Sequence, residues 1–205
     1  MDINELKATA KEQMKGQIGI LLVISVIMAL LSAVAAFALT YLIPGGWTLT
    51  PVIVIPAFAL STVRIYLDIA DGYQPQINDT FSGFDDFWAM FRLMFLTGFL
   101  TLLWSVLLIV PGIIKGISYS MAPYILARDK GKSVKECLRE SQAMTEGHKA
   151  ELFTLYISFL GWILLCVVTC GIAAIWVAPY MQLTFVNAYN QLKPKKEHKK
   201  SRFDD

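Results

Sequence analysis

One lysine interrupts the apolar part of the chain and is the residue there with the clearest potential for chemistry. Lys115 stands four positions after Pro111 and separates two uncharged stretches, residues 93–114 and 116–127. A lysine inside a bilayer costs about 2.5 to 3.5 kcal/mol at the centre of a helix, and less near an end, where its amine can reach the interface. We expect Lys115 either to snorkel outward, with Tyr119 one turn away as its partner, or to face other helices and receive an anion such as a lipid phosphate.

Two further pairs of polar residues stand where the chain enters or leaves apolar segments. Arg64 and Asp68 are four positions apart, which places them on one face of a helix and predicts a structural ion pair. His148 and Lys149 come just before the last long uncharged stretch, and this position predicts a helix boundary or contact with lipid headgroups. We treat all four as candidates for contact with a ligand or a lipid headgroup.

Motifs for catalysis and metal binding are absent from the sequence. His148 has no second histidine at ligand spacing, and the sequence contains no zinc pattern, phosphate-binding loop or nucleophile elbow. The aspartates between Asp71 and Asp86 match no calcium loop. We therefore predict no catalytic residue, no metal site and no cofactor, and we expect that the protein is not an enzyme.

Three prolines fall inside apolar stretches, where they predict helix kinks. A proline has no amide hydrogen and leaves the carbonyl four residues back without its usual donor. Pro123 and Pro179 would free the carbonyls of Tyr119 and Ile175, and Pro56 lies in an earlier apolar stretch. Kinked helices are tolerated in membranes when neighbouring groups satisfy the freed carbonyls.

The composition predicts the helices that position these residues. Of the 205 residues, 56% are apolar and only 17% are charged, against about 25% charged in soluble domains. Because one bilayer crossing needs about 20 apolar residues, the fold class is all-α: a polytopic helical membrane bundle of six transmembrane helices with short cytoplasmic interfacial helices. We place the spans near residues 19–41, 51–69, 88–110, 112–127, 150–169 and 172–192, with turns at Pro44-Gly45-Gly46, Pro111-Gly112 and Thr169-Cys170-Gly171.

Positive charge orients these spans. Sixteen of the eighteen Lys and Arg residues fall in segments that are cytoplasmic when both termini are inside the cell, as the positive-inside rule favours. We expect a single membrane domain over residues 1–192, with cytoplasmic segments at 71–87 and 128–149, and we expect its first span to be retained. The polybasic tail, residues 193–205, predicts attraction to anionic lipid at about 1 kcal/mol per charge.

The cytoplasmic segments carry helix signals of their own. Ser133 and Glu136 have capping-box spacing, which predicts a helix that ends at Gly147. An apolar stripe within residues 1–16 predicts an interfacial helix, and an aromatic cluster leads into the third span. The stripe consists of Ile3, Leu6, Ala10 and Met14, and the cluster of Phe81, Phe84, Phe87, Trp88 and Phe91.

Several motifs along the chain have a family resemblance. They are Leu6-Lys7, Lys15-Gly16, Phe81-Ser82-Gly83-Phe84, Pro111-Gly112-Ile113-Ile114-Lys115, Ser141 with Met144, Gly147-His148-Lys149 and Trp176-Val177-Ala178-Pro179-Tyr180. In these motifs the chain resembles the bacterial integral membrane proteins catalogued as domain of unknown function 975. The resemblance implies a multi-pass protein of the bacterial cytoplasmic membrane, and it implies no activity.

Two functions remain open from the sequence. The net charge of +2 is too small for a nucleic-acid-binding chain. We expect a non-catalytic module that binds membrane lipids, anionic ones among them, or a membrane-protein partner or a second copy of itself. The alternative is a small membrane transporter or channel for an anionic or amphipathic solute, which Lys115 and the carbonyls freed by proline would serve.

Overall fold

The computed structural model describes residues 2–42, 50–129 and 131–193, and these residues form helices without strands. The side chains of residues 50–53, 57 and 107 lie outside this description. The helices in chain order are α1 Ile3–Met14, α2 Ile18–Leu42, α3 Thr50–Ala70, α4 Phe87–Leu107, α5 Ile109–Tyr119, α6 Ala122–Arg128, α7 Val134–Thr145, α8 Lys149–Ile157, α9 Leu160–Val168 and α10 Ala174–Leu192, with a short 3-10 helix at Ile77–Phe81.

Within the described residues, four helical stretches are long and apolar enough to cross a membrane: Ile18–Leu42, Phe87–Val106, Ile109–Arg128 and Lys149–Val168. These confirm the all-helical class and are compatible with a membrane protein. The second and sixth predicted spans correspond in position to α3 and α10. From its middle onward α10 carries amides at Gln182, Asn187, Asn190 and Gln191, which lower its hydropathy. The count of six spans stays a prediction.

The predicted turn at Pro111-Gly112 was misplaced by a few residues. Helix α4 ends at Leu107, Leu108 alone is extended, and Pro111 and Gly112 already lie in the first turn of α5. A proline fits there because the first amides of a helix have no partner within it. Of the other two predicted turns, Pro44-Gly45-Gly46 lies outside the described residues, whereas the one at Cys170 is present, with Cys170 at φ 51°.

Hydrogen bonds link the ends of several helices on one side of the molecule. Gln13 of α1 accepts a hydrogen bond from Asn187 of α10 and donates one to the carbonyl of Ala70 at the end of α3. Arg128 at the end of α6 joins the same side through Asp71. We call this side, with α1, α7 and residues 71–86, the polar end. The opposite side, where α2, α4 and α9 finish, is the apolar end.

Burial differs sharply between these ends. The fully buried side chains concentrate in α1, the second half of α3, residues 121–128, α7, α8 and the second half of α10; they include Leu6, Leu60, Ile65, Met121, Ile125, Leu152 and Leu183. At the apolar end, Leu30, Val34, Val106 and Ile172 are each more than 60% exposed. The packed core therefore lies at the polar end, and the apolar helices extend from it.

Helix α1 is part of this core. Of the stripe that predicted contact with the membrane surface, Leu6, Ala10 and Met14 are buried against the rest of the chain, and Ile3 is partly buried. Its principal neighbour is α10. A helix with this stripe can satisfy its apolar face against lipid or against protein, and in this structure protein covers it.

Candidate functional site

The fourth predicted span contains a break, and several candidate residues meet there. Helix α5 stops at Tyr119 and α6 begins at Ala122, so Pro123 lies in the first turn of a new helix. The backbone between them passes through Ser120 and Met121. Pro123 thus interrupts the span as its lack of an amide hydrogen predicts, whereas Pro56 and Pro179 lie inside the continuous helices α3 and α10.

A single hydroxyl from α7 bridges this break. Ser141 Oγ donates a hydrogen bond to the Ser118 carbonyl at 2.7 Å and accepts one from the Met121 amide at 3.2 Å. Ser141 is fully buried. Since a buried backbone group without a partner costs roughly 1 to 3 kcal/mol, Ser141 compensates for hydrogen bonds lost where the helix stops. In the sequence Ser141 stands out only as part of a family motif, and no local signal predicts this contact.

Helix α7 delivers Ser141 from a segment with its own stop and start signals. The predicted capping box is present: Ser133 Oγ accepts from the Glu136 amide, and the Glu136 carboxylate accepts from the Ser133 amide at 2.8 Å. Gly147, at φ 84°, lies in the left-handed region beyond the end of α7. Burial raises the pKa of the Cys137 thiol on α7 to about 11, so this thiol remains protonated at neutral pH.

Lys115 contacts an aromatic ring. Its amine lies 5.5 Å from the centre of the Trp104 ring, and the residue is half-buried. Among the described residues no carboxylate pairs with it. A cation over an indole face gains about 0.5 to 2 kcal/mol, depending on how much water is excluded. Tyr119, its expected partner, is itself buried in the core.

Small residues bring α5 close to α4 beside Lys115. Gly112 and Gly116 are four positions apart on α5 and face Ser105 and Thr101 on α4. A Cβ atom added to Gly112 would overlap Ser105 Oγ and lie 2.7 Å from the Ser105 Cα, whereas one on Gly116 would meet Thr101 at an ordinary 3.6 Å. This is the close approach that small residues allow between membrane helices.

Arg64 binds the connection between α3 and α4. Its guanidinium donates hydrogen bonds to the carboxylate of Asp86 and to the carbonyl of Ser82, and only 3% of the residue is exposed. Ser61, one turn earlier, accepts a hydrogen bond from the Gly83 amide at 2.9 Å. Asp68 was the predicted partner of Arg64; the ion pair that the structure shows joins Arg64 to a carboxylate 22 positions away.

Arg128, at the end of α6, also links separate parts of the chain. It pairs with Asp71 at 2.7 Å, donates to the Asn190 side chain at 3.2 Å and lies over the ring of Tyr189. Tyr189 in turn stacks on Tyr124 with 5.6 Å between ring centres. These contacts join α6 to the end of α3 and to α10.

His148 and Lys149 lie at the start of α8. His148 is the N-cap residue, and its Nδ1 lies 2.9 Å from a Glu151 carboxylate oxygen. It borders an open depression of about 600 Å³, whose other lining residues are Glu140, Ala143, Met144, Glu146, Gln191 and Leu192. Within residues 2–42, 50–129 and 131–193, no three His, Cys, Asp or Glu side chains come together as a metal site would require.

A ladder of phenylalanines on α4 extends beyond the aromatic cluster that the sequence predicted. Phe87, Phe91, Phe95 and Phe99 stack in sequence, with 6.1 to 6.4 Å between neighbouring ring centres and interplanar angles of 20° or less. Phe95 is 67% exposed and Phe99 55%. The signal for this ladder was the spacing of four residues, which aligns side chains along a helix.

Comparison with known proteins gives a family. No curated protein and no solved structure matches the chain. The model of one family, described as Protein of unknown function (DUF975), matches residues 1–115 and 106–196. Together these matches cover almost the whole chain, and the chain belongs to the DUF975 family.

Proposed function

We propose that this protein is a non-catalytic module of the bacterial cytoplasmic membrane that binds lipids with anionic headgroups. In this proposal the bundle has six spans, and the polar end with both termini faces the cytoplasm. The observation that carries it is that an exposed apolar surface occurs together with cations at the polar end that form no ion pair with any carboxylate in residues 2–42, 50–129 and 131–193.

The apolar surface is extensive on several helices. Exposed large side chains follow one another along α2, α4 and α9; examples are Val26, Phe37, Leu102, Val106, Leu164 and Val168. Soluble proteins rarely expose continuous apolar surface of this kind, because its contact with water is unfavourable. Lipid chains, or apolar helices of a partner, are the surroundings that such a surface fits.

The cations of the polar end fall into two groups. Arg64, Arg128 and Lys132 are paired; although burial lowers the pKa of Lys132, hydrogen bonds to Asp129 and Glu140 raise it above its usual value. A second group forms no ion pair with any described residue: Lys7, Lys11, Lys15, Arg92, Lys135, Arg139 and Lys149, of which Lys7 lies over the ring of Phe159. Next to a membrane, each such charge attracts anionic lipid by about 1 kcal/mol.

The test is competitive lipid retention. We would reconstitute the protein in nanodiscs of phosphatidylcholine and phosphatidylglycerol, extract it gently and count retained lipids by native mass spectrometry. We expect several-fold enrichment of phosphatidylglycerol, weakening with added salt as surface electrostatics do. Equal retention of the two lipids at low salt would overturn the proposal.

The orientation has a separate test. Single cysteines in an otherwise cysteine-free chain, at Gly46, at the native Cys170 and at Ser201, are exposed to an impermeant thiol reagent on whole cells. We expect the first two to react from outside and the third to stay protected until the membrane is opened. External labelling at Ser201 would contradict the six-span arrangement with both termini inside.

A second function, solute transport, is favoured by polar side chains on the adjacent helices α4 and α5. The hydroxyls of Thr97 and Thr101 on α4 are buried and have no hydrogen-bond partner among the described residues. With the half-buried amine of Lys115, they would supply polar contacts for an anionic solute. Uptake of anions into proteoliposomes that saturates and disappears in Lys115→Met would establish transport and displace the binding module.

A further inference from the structure

The outer face of α4 combines a rigid aromatic surface with one exposed cation. Phe95 and Phe99 continue the stacked ladder described above, and Trp88 packs edge-on against Phe91 with 5.9 Å between ring centres. Trp88 is as exposed as Phe95. Stacked rings lose little conformational freedom when a ligand covers them, so this surface is preorganised for contact.

Arg92 stands at the foot of this surface. Its Nε donates a hydrogen bond to the Trp88 carbonyl at 3.1 Å, which holds the side chain along the helix. The residue is exposed, and its two terminal nitrogens make no hydrogen bond or ion pair with any described residue. A guanidinium in this state offers two parallel donors to a phosphate.

The spacing of these residues aligns them along one side of the helix. Trp88, Arg92, Phe95, Phe99 and Leu103 recur at intervals of four, three, four and four, the period of a single helical face. From Arg92 to Leu103 the helix rises about 16 Å at roughly 1.5 Å per residue. This is close to half of a hydrocarbon core of about 30 Å, the depth of one leaflet.

We propose that this face binds one anionic phospholipid, with its phosphate on Arg92 and an acyl chain along Phe95, Phe99 and Leu103. The inference rests on the proposed function and gives it a location. A flexible acyl chain suits this face better than a partner helix does, because close helix packing needs small residues and this face carries bulky ones. The tryptophan at its foot has the position typical of side chains at the membrane interface.

The first test removes the guanidinium of Arg92. In nanodiscs of phosphatidylcholine containing phosphatidylglycerol, we would count phosphatidylglycerol molecules retained by the natural chain and by Arg92→Gln. The matched control is Arg139→Gln, the same change at an exposed arginine on α7. We expect Arg92→Gln to weaken retention of one tightly held phosphatidylglycerol by about tenfold, the factor for loss of a charge-assisted hydrogen bond. Arg139→Gln removes one of the surface charges described above, so we expect it to lower only the salt-sensitive enrichment and to keep that tightly held molecule.

The second test addresses the aromatic surface. We expect Phe95→Leu combined with Phe99→Leu to weaken retention by a smaller factor, and Phe37→Leu, at a phenylalanine similarly exposed on α2, to have no effect. A phosphatidylglycerol with a photoreactive acyl chain should crosslink to residues 95–103 in the natural chain and lose this crosslink in Arg92→Gln.

Two outcomes are distinguishable. If the chain prefers phosphatidylglycerol and Arg92→Gln retains it as well as Arg139→Gln does, the site on α4 is wrong while the proposed function stands. If the natural chain shows no preference for phosphatidylglycerol at all, both fail. Melting temperatures of the variants in the same detergent identify any loss that is due to unfolding.

Discussion

At the polar end, helices from distant parts of the chain are tied together by side chains that satisfy one another, whereas at the apolar end the close contacts join neighbours in sequence. Arg64 holds a segment some 20 positions away, and Ser141 bridges a break more than 20 positions earlier. The tightest contact toward the apolar end, Gly112 against Ser105, lies within one hairpin.

The two ends therefore contribute differently to the structure. Buried polar groups specify a geometry because each must find its partner, and the polar end contains most of them. Apolar helix surfaces have no such requirement and can accept lipid or protein. The polar end therefore sets the architecture, and the apolar end remains available to the surroundings.

Among tests of this contrast, we expect the largest loss of stability from Arg64→Met. Removing the guanidinium leaves the Ser82 carbonyl and the Asp86 carboxylate without a donor, and we expect the free energy of unfolding in detergent to fall by about 3 kcal/mol, the lower range for breaking a buried pair. Denaturant titration measures it. Arg139→Met, at an exposed arginine, is the control, and equal small losses in both variants would refute the structural role of Arg64.

Ser141→Ala comes next. We expect a loss of about 2 kcal/mol, because the Ser118 carbonyl and the Met121 amide lose their partner at once. Hydrogen exchange followed by mass spectrometry should show faster exchange at Ser120 and Met121. Ser25→Ala on the exposed side of α2 should change neither quantity, and unchanged exchange at the break would show that Ser141 does not bridge it.

Gly112→Ala examines a tight contact away from the polar end. The new methyl group would lie 2.7 Å from the Ser105 backbone, so α4 and α5 must separate, at a cost of about 1 to 2 kcal/mol by comparison with overpacked cores. Gly98→Ala, where a Cβ meets nothing within 4 Å, should be neutral or slightly stabilising. Equal thermal stability of the two variants would contradict this contact.

The smallest effect is expected from pH. Hydrogen bonds from the Ser133 backbone and hydroxyl lower the pKa of Glu136 below its ordinary value of 4.5. A carboxylate with a lowered pKa stabilises the folded state above the unfolded pKa, and this contribution disappears as pH falls through the folded pKa. Circular dichroism of the whole protein should show a small loss of helix below pH 4.5 as the start of α7 frays, and Glu136→Gln should lack this pH dependence. An identical pH profile in the two proteins would show that the Glu136 cap does not cause it.

Local signals predicted the elements of the fold well. The capping box of Ser133 and Glu136, the glycine after α7 and the apolar stretches each act within a few residues, so the sequence displays them directly. Pro111 was placed in a turn because proline favours both turns and first turns of helices, and nothing nearby separates these two cases.

The partners of the polar residues could not be predicted in the same way. Arg64 has Asp68 at helical spacing, yet the structure pairs it with Asp86, because residues 71–86 fold back onto α3. Ser141 gives no sign in the sequence that it will meet Ser118. Such contacts depend on the path of the whole chain, which local spacing does not specify.

The single extended residue between α4 and α5 also has a consequence for biogenesis. Because Leu108 alone links the two helices and Gly112 lets them touch at once, their contacts have short sequence separation and a small loop-closure cost. We expect this hairpin to close as it leaves the ribosome and to enter the bilayer as one unit. The α3 segment held by Arg64, already synthesised, would then dock onto a hairpin that has formed.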